Sequence, residues 1–171
     1  MTRIMGTLVE VAAQGILLRG PAGCGKSDTA LALIAAGHRL VADDAVELHH
    51  ADGQLYGRAP ALGRGLLTLR GPGAIDIIHH YGPRALANSA RLALVVELVH
   101  RPRPAALEGD WDAAWLLGMP VPRLCLAPDR PLRDLIPLAV AEVPRRGQTA
   151  VRFAAAQRRL LTTHGEASAC G

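Results

Sequence analysis

The chain has 171 residues and a formal charge of +4, with half of its residues apolar but only 3% aromatic, which suits one domain with a core of Leu, Val, Ala and Ile. No apolar run reaches the roughly 18 residues of a transmembrane helix, MTRIMGTLVEV lacks a signal peptide's apolar stretch and cleavage site, and Cys24, Cys125 and Cys170 are too scattered for a disulfide framework or a zinc site. A reduced, cytoplasmic protein without membrane contact is expected, and nucleic acid is not, because the arginines are neither clustered nor interleaved with aromatics.

Residues 7–13 (TLVEVAA) and 15–20 (GILLRG) read as two strands. Ser27 to Ala36 predicts an Ala/Leu helix stopped by Gly37, and HRLVADD predicts a strand ending in two carboxylates. AVELHHADGQLYGRA has the pattern of a hairpin turning at Asp52-Gly53. GLLTLRGPG is a strand entering a tight glycine turn, and AIDIIHHYG fits a short helix or another strand. RLALVVELVH is a long apolar strand, the proline-rich 101–104 is expected to be exposed, and VPRLCLAP is a late strand. Pro131 to Glu142 and Ala150 to Thr162 are helix candidates, the first weakened by Pro137. This order predicts a single α/β or α+β domain over 1–171, with strands on both sides of one glycine-loop helix.

Of the 19 basic residues 18 are arginine, and the one lysine is Lys26. It sits in Gly20, Pro21, Ala22, Gly23, Cys24, Gly25, Lys26 and Ser27, which match G-x-x-x-x-G-K-[ST] at every fixed position. Such glycines let successive N–H groups turn toward phosphate oxygens, and the following helix adds its positive N-terminal end. Lys26 would supply a compact charge to the β- and γ-phosphates of ATP, and Ser27 a hydroxyl to Mg²⁺. A planar guanidinium does not enter a ring of backbone amides as a narrow ammonium does.

Asp43 and Asp44 end the strand after the loop's helix. In a strand–loop–helix–strand unit with parallel strands, both strands deliver their C-terminal ends to one edge, so the carboxylates should arrive beside the phosphates. One can hold Mg²⁺ and the other accept a proton from an attacking hydroxyl; the alternative is a solvated Asp-Asp turn. Arg70, in LRGPG, can stabilise charge on a transferred phosphoryl group. The histidine pairs at 49–50 and 79–80 lack companion ligands and read as surface or hairpin residues. His38 reads as a cap on the helix C-terminus.

These pieces together resemble the catalytic domain of HPr kinase/phosphorylase. That family joins GKS to GHRLVADD through one helix, as Gly25-Lys26-Ser27 joins Gly37 to Asp44 here, and its LLEIRGLGIID motif is similar to LLTLRGPGAID at 66–76. VPRLCLAP resembles its late strand. The resemblance covers roughly residues 5 to 130 and implies a P-loop serine kinase fold related to phosphoenolpyruvate carboxykinase. It implies phosphorylation of a serine on the phosphocarrier HPr, reversal by phosphorolysis, and hexameric assembly. It further implies Asp44 as proton acceptor, Ser27 and Asp43 for the metal, Lys26 for the phosphates, and Arg70 in the catalytic stretch. The chain looks like the short form found in some proteobacteria, without the N-terminal accessory domain.

The chain departs from the family at four places. The family's His-Gly is Met5-Gly6, and the glutamate of LLEIRG is Thr68. The arginine after the long strand has only Arg101 and Arg103 as counterparts, and the basic loop tied to phosphorolysis is APDRPLRD, with Arg130 or Arg133. The kinase direction is therefore expected to outlast the phosphorylase direction. Two alternatives stand beside a kinase for HPr or a related carrier: a small-molecule kinase using the same loop, and a nucleotide-sensing module with little transfer.

Overall fold

The computed structural model describes residues 2–102 and 109–146, with 148, 151, 152, 155 and 156. In chain order come β1 (Thr2–Met5), β2 (Thr7–Val11), β3 (Gln14–Arg19), α1 (Lys26–Ala35), β4 (Arg39–Ala42), β5 (Ala45–Ala51) and β6 (Gln54–Arg58). The hairpin β7 (Leu66–Leu69) and β8 (Gly73–Asp76) leads into α2 (Ile77–Tyr81). Then follow β9 (Ser89–Leu98), β10 (Trp111–Leu116), β11 (Met119–Leu126) and α3 (Leu132–Glu142). Among the described residues nine strands form one sheet, ordered β1-β5-β6-β9-β3-β2-β4, with β11 also on β9 and β10 on β11.

The long strand β9 is the hub, parallel to β3 and β11 and antiparallel to β6. Successive side chains on β3 and β9 face opposite ways, so Leu18 and Val96 pack against α1 and α3 while Leu17 and Val95 join Leu8, Val41 and Leu48 on the other side. Burial on both faces explains the unbroken apolar runs of these strands. Each fully buried leucine contributes on the order of 2 kcal/mol. The sheet curls around its second core. A Cβ on Gly57 of β6 would lie 2.5 Å from Leu8 Cδ2 of β2, although two strands separate β6 from β2 in sheet order.

Several elements differ from expectation for identifiable reasons. The helix α1 starts one residue before Ser27, because Gly25 at φ 93° turns the chain directly into Lys26. AIDIIHHYG is both structures, since Asp76 ends β8 and then caps α2, accepting from the N–H groups of Ile78 (2.8 Å) and His79 (3.2 Å). Pro137 does not break α3: its buried stripe of Leu132, Ile136, Ala139 and Val140 holds the helix against the core. Strands β1 and β10 were not predicted. At the end of α1, Gly37 adopts φ 95° and the backbone N–H of His38 caps Leu33 O at 3.1 Å, in place of the expected imidazole cap. Burial lowers the His38 imidazole pKa and favours its neutral form. In the proline-rich stretch Arg101 is exposed and Pro102 half-buried, while 103 and 104 lie outside the described residues, as does most of the 150–162 helix candidate.

The β2–β3 turn is strained. Ala12 (φ 49°) and Ala13 (φ 61°) both occupy the left-handed region, where the hairpin twist favours Asn-Gly and an L-residue with a Cβ is costly by about 1–2 kcal/mol. Both alanines are exposed. Replacing Ala12→Asn together with Ala13→Gly should therefore stabilise the fold by about 1 kcal/mol after glycine's own entropic cost, read as a higher urea midpoint with an unchanged m-value.

Candidate active site

Strands β3 and β4 both run antiparallel to β2. They therefore point the same way, as the sequence implies, but β2 intervenes between them. Their C-terminal ends place the 20–27 loop and Asp43-Asp44 on one edge. The loop is shaped by glycines at φ 137° (Gly20) and 76° (Gly23). No side chain fits at Gly20, where a Cβ would meet Leu98 O at 2.6 Å and Cys24 Sγ at 2.9 Å. The buried Cys24 thus fills the loop from beneath.

Lys26 Nζ donates to Gly20 O at 3.0 Å and Pro21 O at 2.9 Å, and lies 3.9 Å from Cys24 Sγ. The loop's own acceptors hold the ammonium at its rim. Across the loop, the Arg70 guanidinium covers Gly23, where a Cβ would lie 2.6 Å from Nη2. Only glycine lets this cation come so close.

The two aspartates have separate environments. β4 ends at Ala42, and Asp43 turns inward, only 9% exposed. Its Oδ1 accepts from Thr7 Oγ1 at 2.7 Å and Ser27 Oγ at 3.2 Å, and its Oδ2 from the Thr68 backbone N–H at 2.8 Å. One buried carboxylate thereby joins β2, α1 and β7, with donors that compensate its desolvation. Asp44 is exposed in the left-handed conformation (φ 60°), which aspartate tolerates better than most residues. Gly6 N–H donates to its carbonyl at 3.1 Å.

These groups surround one cleft of about 540 Å³, lined by Gly23, Lys26, Ser27, Asp44, Thr68 and Arg70 among others. That volume lies in the range of small-molecule sites, about 300–1,000 Å³. Met5, 73% exposed, stands on the cleft wall where the resemblance has a histidine. Arg101, Arg130 and Arg133 do not line it, and Arg103 lies outside the described residues. Thr7 escaped sequence reasoning, because a threonine opening TLVEV looks like an ordinary strand residue. His49 stacks on Tyr56, with centroids 5.9 Å apart, His50 Nε2 lies 3.2 Å from Leu117 O, and His79 meets His80 edge-on, so the first pair sits on the β5–β6 hairpin and the second on α2. Cys125 is no nucleophile candidate, since burial and then the Asp110 carboxylate raise its thiol pKa.

Among the described residues no group of three or more His, Cys, Asp or Glu side chains is placed to hold a metal ion. Ser27 and Asp43 alone fit Mg²⁺ in its usual sparse manner, because that ion keeps several waters and takes substrate phosphates with one or two carboxylates.

Fold and site define an α/β protein with a curled sheet and a glycine loop entering a helix at one sheet edge. The solved structure of the HPr(Ser) kinase/phosphatase from Coxiella burnetii is similar, with a TM-score of 0.73 and 27% identity, covering 94% of this chain and 98% of that one. The family model for the HPr serine kinase C-terminal domain matches residues 1–159, and the chain belongs to this family. An HPr kinase/phosphorylase from Clostridium perfringens is 40% identical over 141 residues, covering 78% of this chain and 44% of that protein. One from Clostridium beijerinckii is 48% identical over 99 residues, covering 58% of this chain and 33% of the relative. The chain therefore spans less than half the length of the curated relatives it matches. Among the described residues no helix is long and apolar enough to cross a membrane.

Proposed function

We propose that the chain is a P-loop serine kinase that transfers the γ-phosphoryl group of ATP to HPr or a related phosphocarrier. The observation that carries this is convergence: Lys26-Ser27, Asp43-Asp44 and Arg70 come from three separate segments and meet at one cleft. Lys26 and the loop amides bind the β- and γ-phosphates. Ser27, oriented by Asp43, would hold Mg²⁺ with those phosphates, and the ion would neutralise charge on the transferred group.

Asp44 takes the proton from the acceptor serine as its Oγ forms a bond to the γ-phosphorus. The bond from that phosphorus to the β–γ bridging oxygen breaks, and ADP leaves with the electron pair. Arg70, whose guanidinium covers Gly23 of the loop, would stabilise the developing charge. Family membership supports a cytoplasmic hexamer. Phosphorolysis is proposed to be the weaker direction, because neither Arg130 nor Arg133 lines the cleft.

The test is transfer of label from γ-labelled ATP to HPr by the purified chain. Label on an HPr serine supports the proposal; nucleotide binding without transfer to HPr overturns it and favours the sensor reading. Met5 and Thr68 are the observations behind that second reading, since both stand in the cleft at positions where the resemblance expects chemistry. Replacing Thr68→Glu adds a carboxylate beside Ser27 and Asp43. It should lower the Mg²⁺ concentration for half-maximal transfer by about tenfold, and an unchanged Mg²⁺ dependence would show that this position does not serve the metal.

A further inference from the structure

A second cavity, of about 570 Å³, lies at the other end of the same strands. Strand β3 starts there at Gln14 and enters the 20–27 loop after Arg19, so about 17 Å of extended chain separates the two sites. Its walls are largely apolar, with Pro122, Val140 and Val143 among them. Among the described residues one charged side chain lines it, Arg91, near the start of β9.

The partners of Arg91 are unusual for a half-buried guanidinium. Nη2 donates to Gln14 Oε1 at 2.6 Å and Nη1 to Gln54 Oε1 at 3.3 Å, and among the described residues it forms no ion pair. Arginine can only donate, so each glutamine must turn its oxygen inward. Both glutamine NH₂ groups are then left as donors beside the remaining guanidinium N–H groups. The result is a patch of donors carrying one positive charge, with no carboxylate among the described residues lining it. Its natural complement is a planar monoanion bound in bidentate fashion. A phosphate ester, near two negative charges, would leave one uncompensated.

From this we infer that the Arg91–Gln14–Gln54 cavity is a binding site for a small monocarboxylate with an apolar body, separate from the phosphate-loop cleft. The carboxylate sits on the guanidinium and the two amides, and the apolar body lies along Pro122, Val140 and Val143. The site does not depend on the kinase proposal, because no residue of the cleft takes part.

The probes are hexanoate, hexanol and inorganic phosphate, titrated into the full chain by calorimetry with nucleotide binding as the check on folding. Hexanoate is expected to bind at least about tenfold more tightly than hexanol or phosphate. Arg91→Met should weaken hexanoate by about tenfold or more while nucleotide affinity stays unchanged. Should Arg91→Met not fold, Gln54→Leu at the exposed end of β6 decides the matter, with an expected loss of about threefold to tenfold. No heat with hexanoate at millimolar concentration overturns the site. So does equal binding by the folded Arg91→Met variant, or tighter binding of phosphate than of hexanoate.

Discussion

Replacing Lys26→Met should lower phosphoryl transfer to HPr by at least about 10²–10³-fold, the range seen when one preorganised charge stabiliser is removed from an active site. The fold should survive, because the loop is shaped by Gly20, Gly23 and Gly25 and filled by Cys24 rather than propped by the lysine. Lys26→Arg is the sharper variant. It keeps the charge but exchanges a compact ammonium, held between carbonyls at 2.9 and 3.0 Å with a sulfur at 3.9 Å, for a wider planar group. Less than about a tenth of wild-type transfer is expected from it. Recovery to wild-type rates would mean that charge alone suffices there, and that the chain's single lysine has no geometric explanation.

The Asp44→Asn variant separates chemistry from binding. Asparagine matches aspartate in shape and also tolerates the left-handed φ of 60°, so the backbone and the Gly6 contact should persist. It cannot accept the serine proton. Transfer is expected to fall by about 10²–10⁴-fold, the usual worth of a positioned base, with nucleotide affinity and melting temperature nearly unchanged. Asp43→Asn should behave differently. Its carboxylate accepts from Thr7, Ser27 and Thr68, and an amide presents one oxygen where two are used. A loss of about 1–3 kcal/mol in stability is expected alongside lost transfer, so the adjacent aspartates are distinguishable by thermal melting alone.

What was legible in the sequence followed locality. The loop, α1, the Asp52-Gly53 hairpin and β9 each carry their signal within a dozen consecutive residues. The edge on which Asp43 and Asp44 meet the loop was legible over a longer stretch, the strand–loop–helix–strand unit of residues 15–44. Elements whose stability comes from elsewhere were not legible. TRIM is a strand because β5 pairs with it, and WDAAWL because β11 does. The intervening position of β2 is a property of sheet order, which one segment cannot encode. Thr7 gains its role only when the fold brings it to Asp43, 36 positions away in the chain. Arg91, Gln14 and Gln54 meet only because β9 is flanked by both β3 and β6.

The placement of Lys26 also affects how the chain meets its chemical surroundings. With every other basic side chain an arginine, the sequence offers one ε-amine to any acylating or alkylating agent. That amine lies half-buried on the rim of the cleft. Lysine-directed modification thus has a single side-chain address, shielded by the loop carbonyls and by whatever anion fills the cleft. Wherever acylation succeeds, it removes the charge on which the proposed transfer depends.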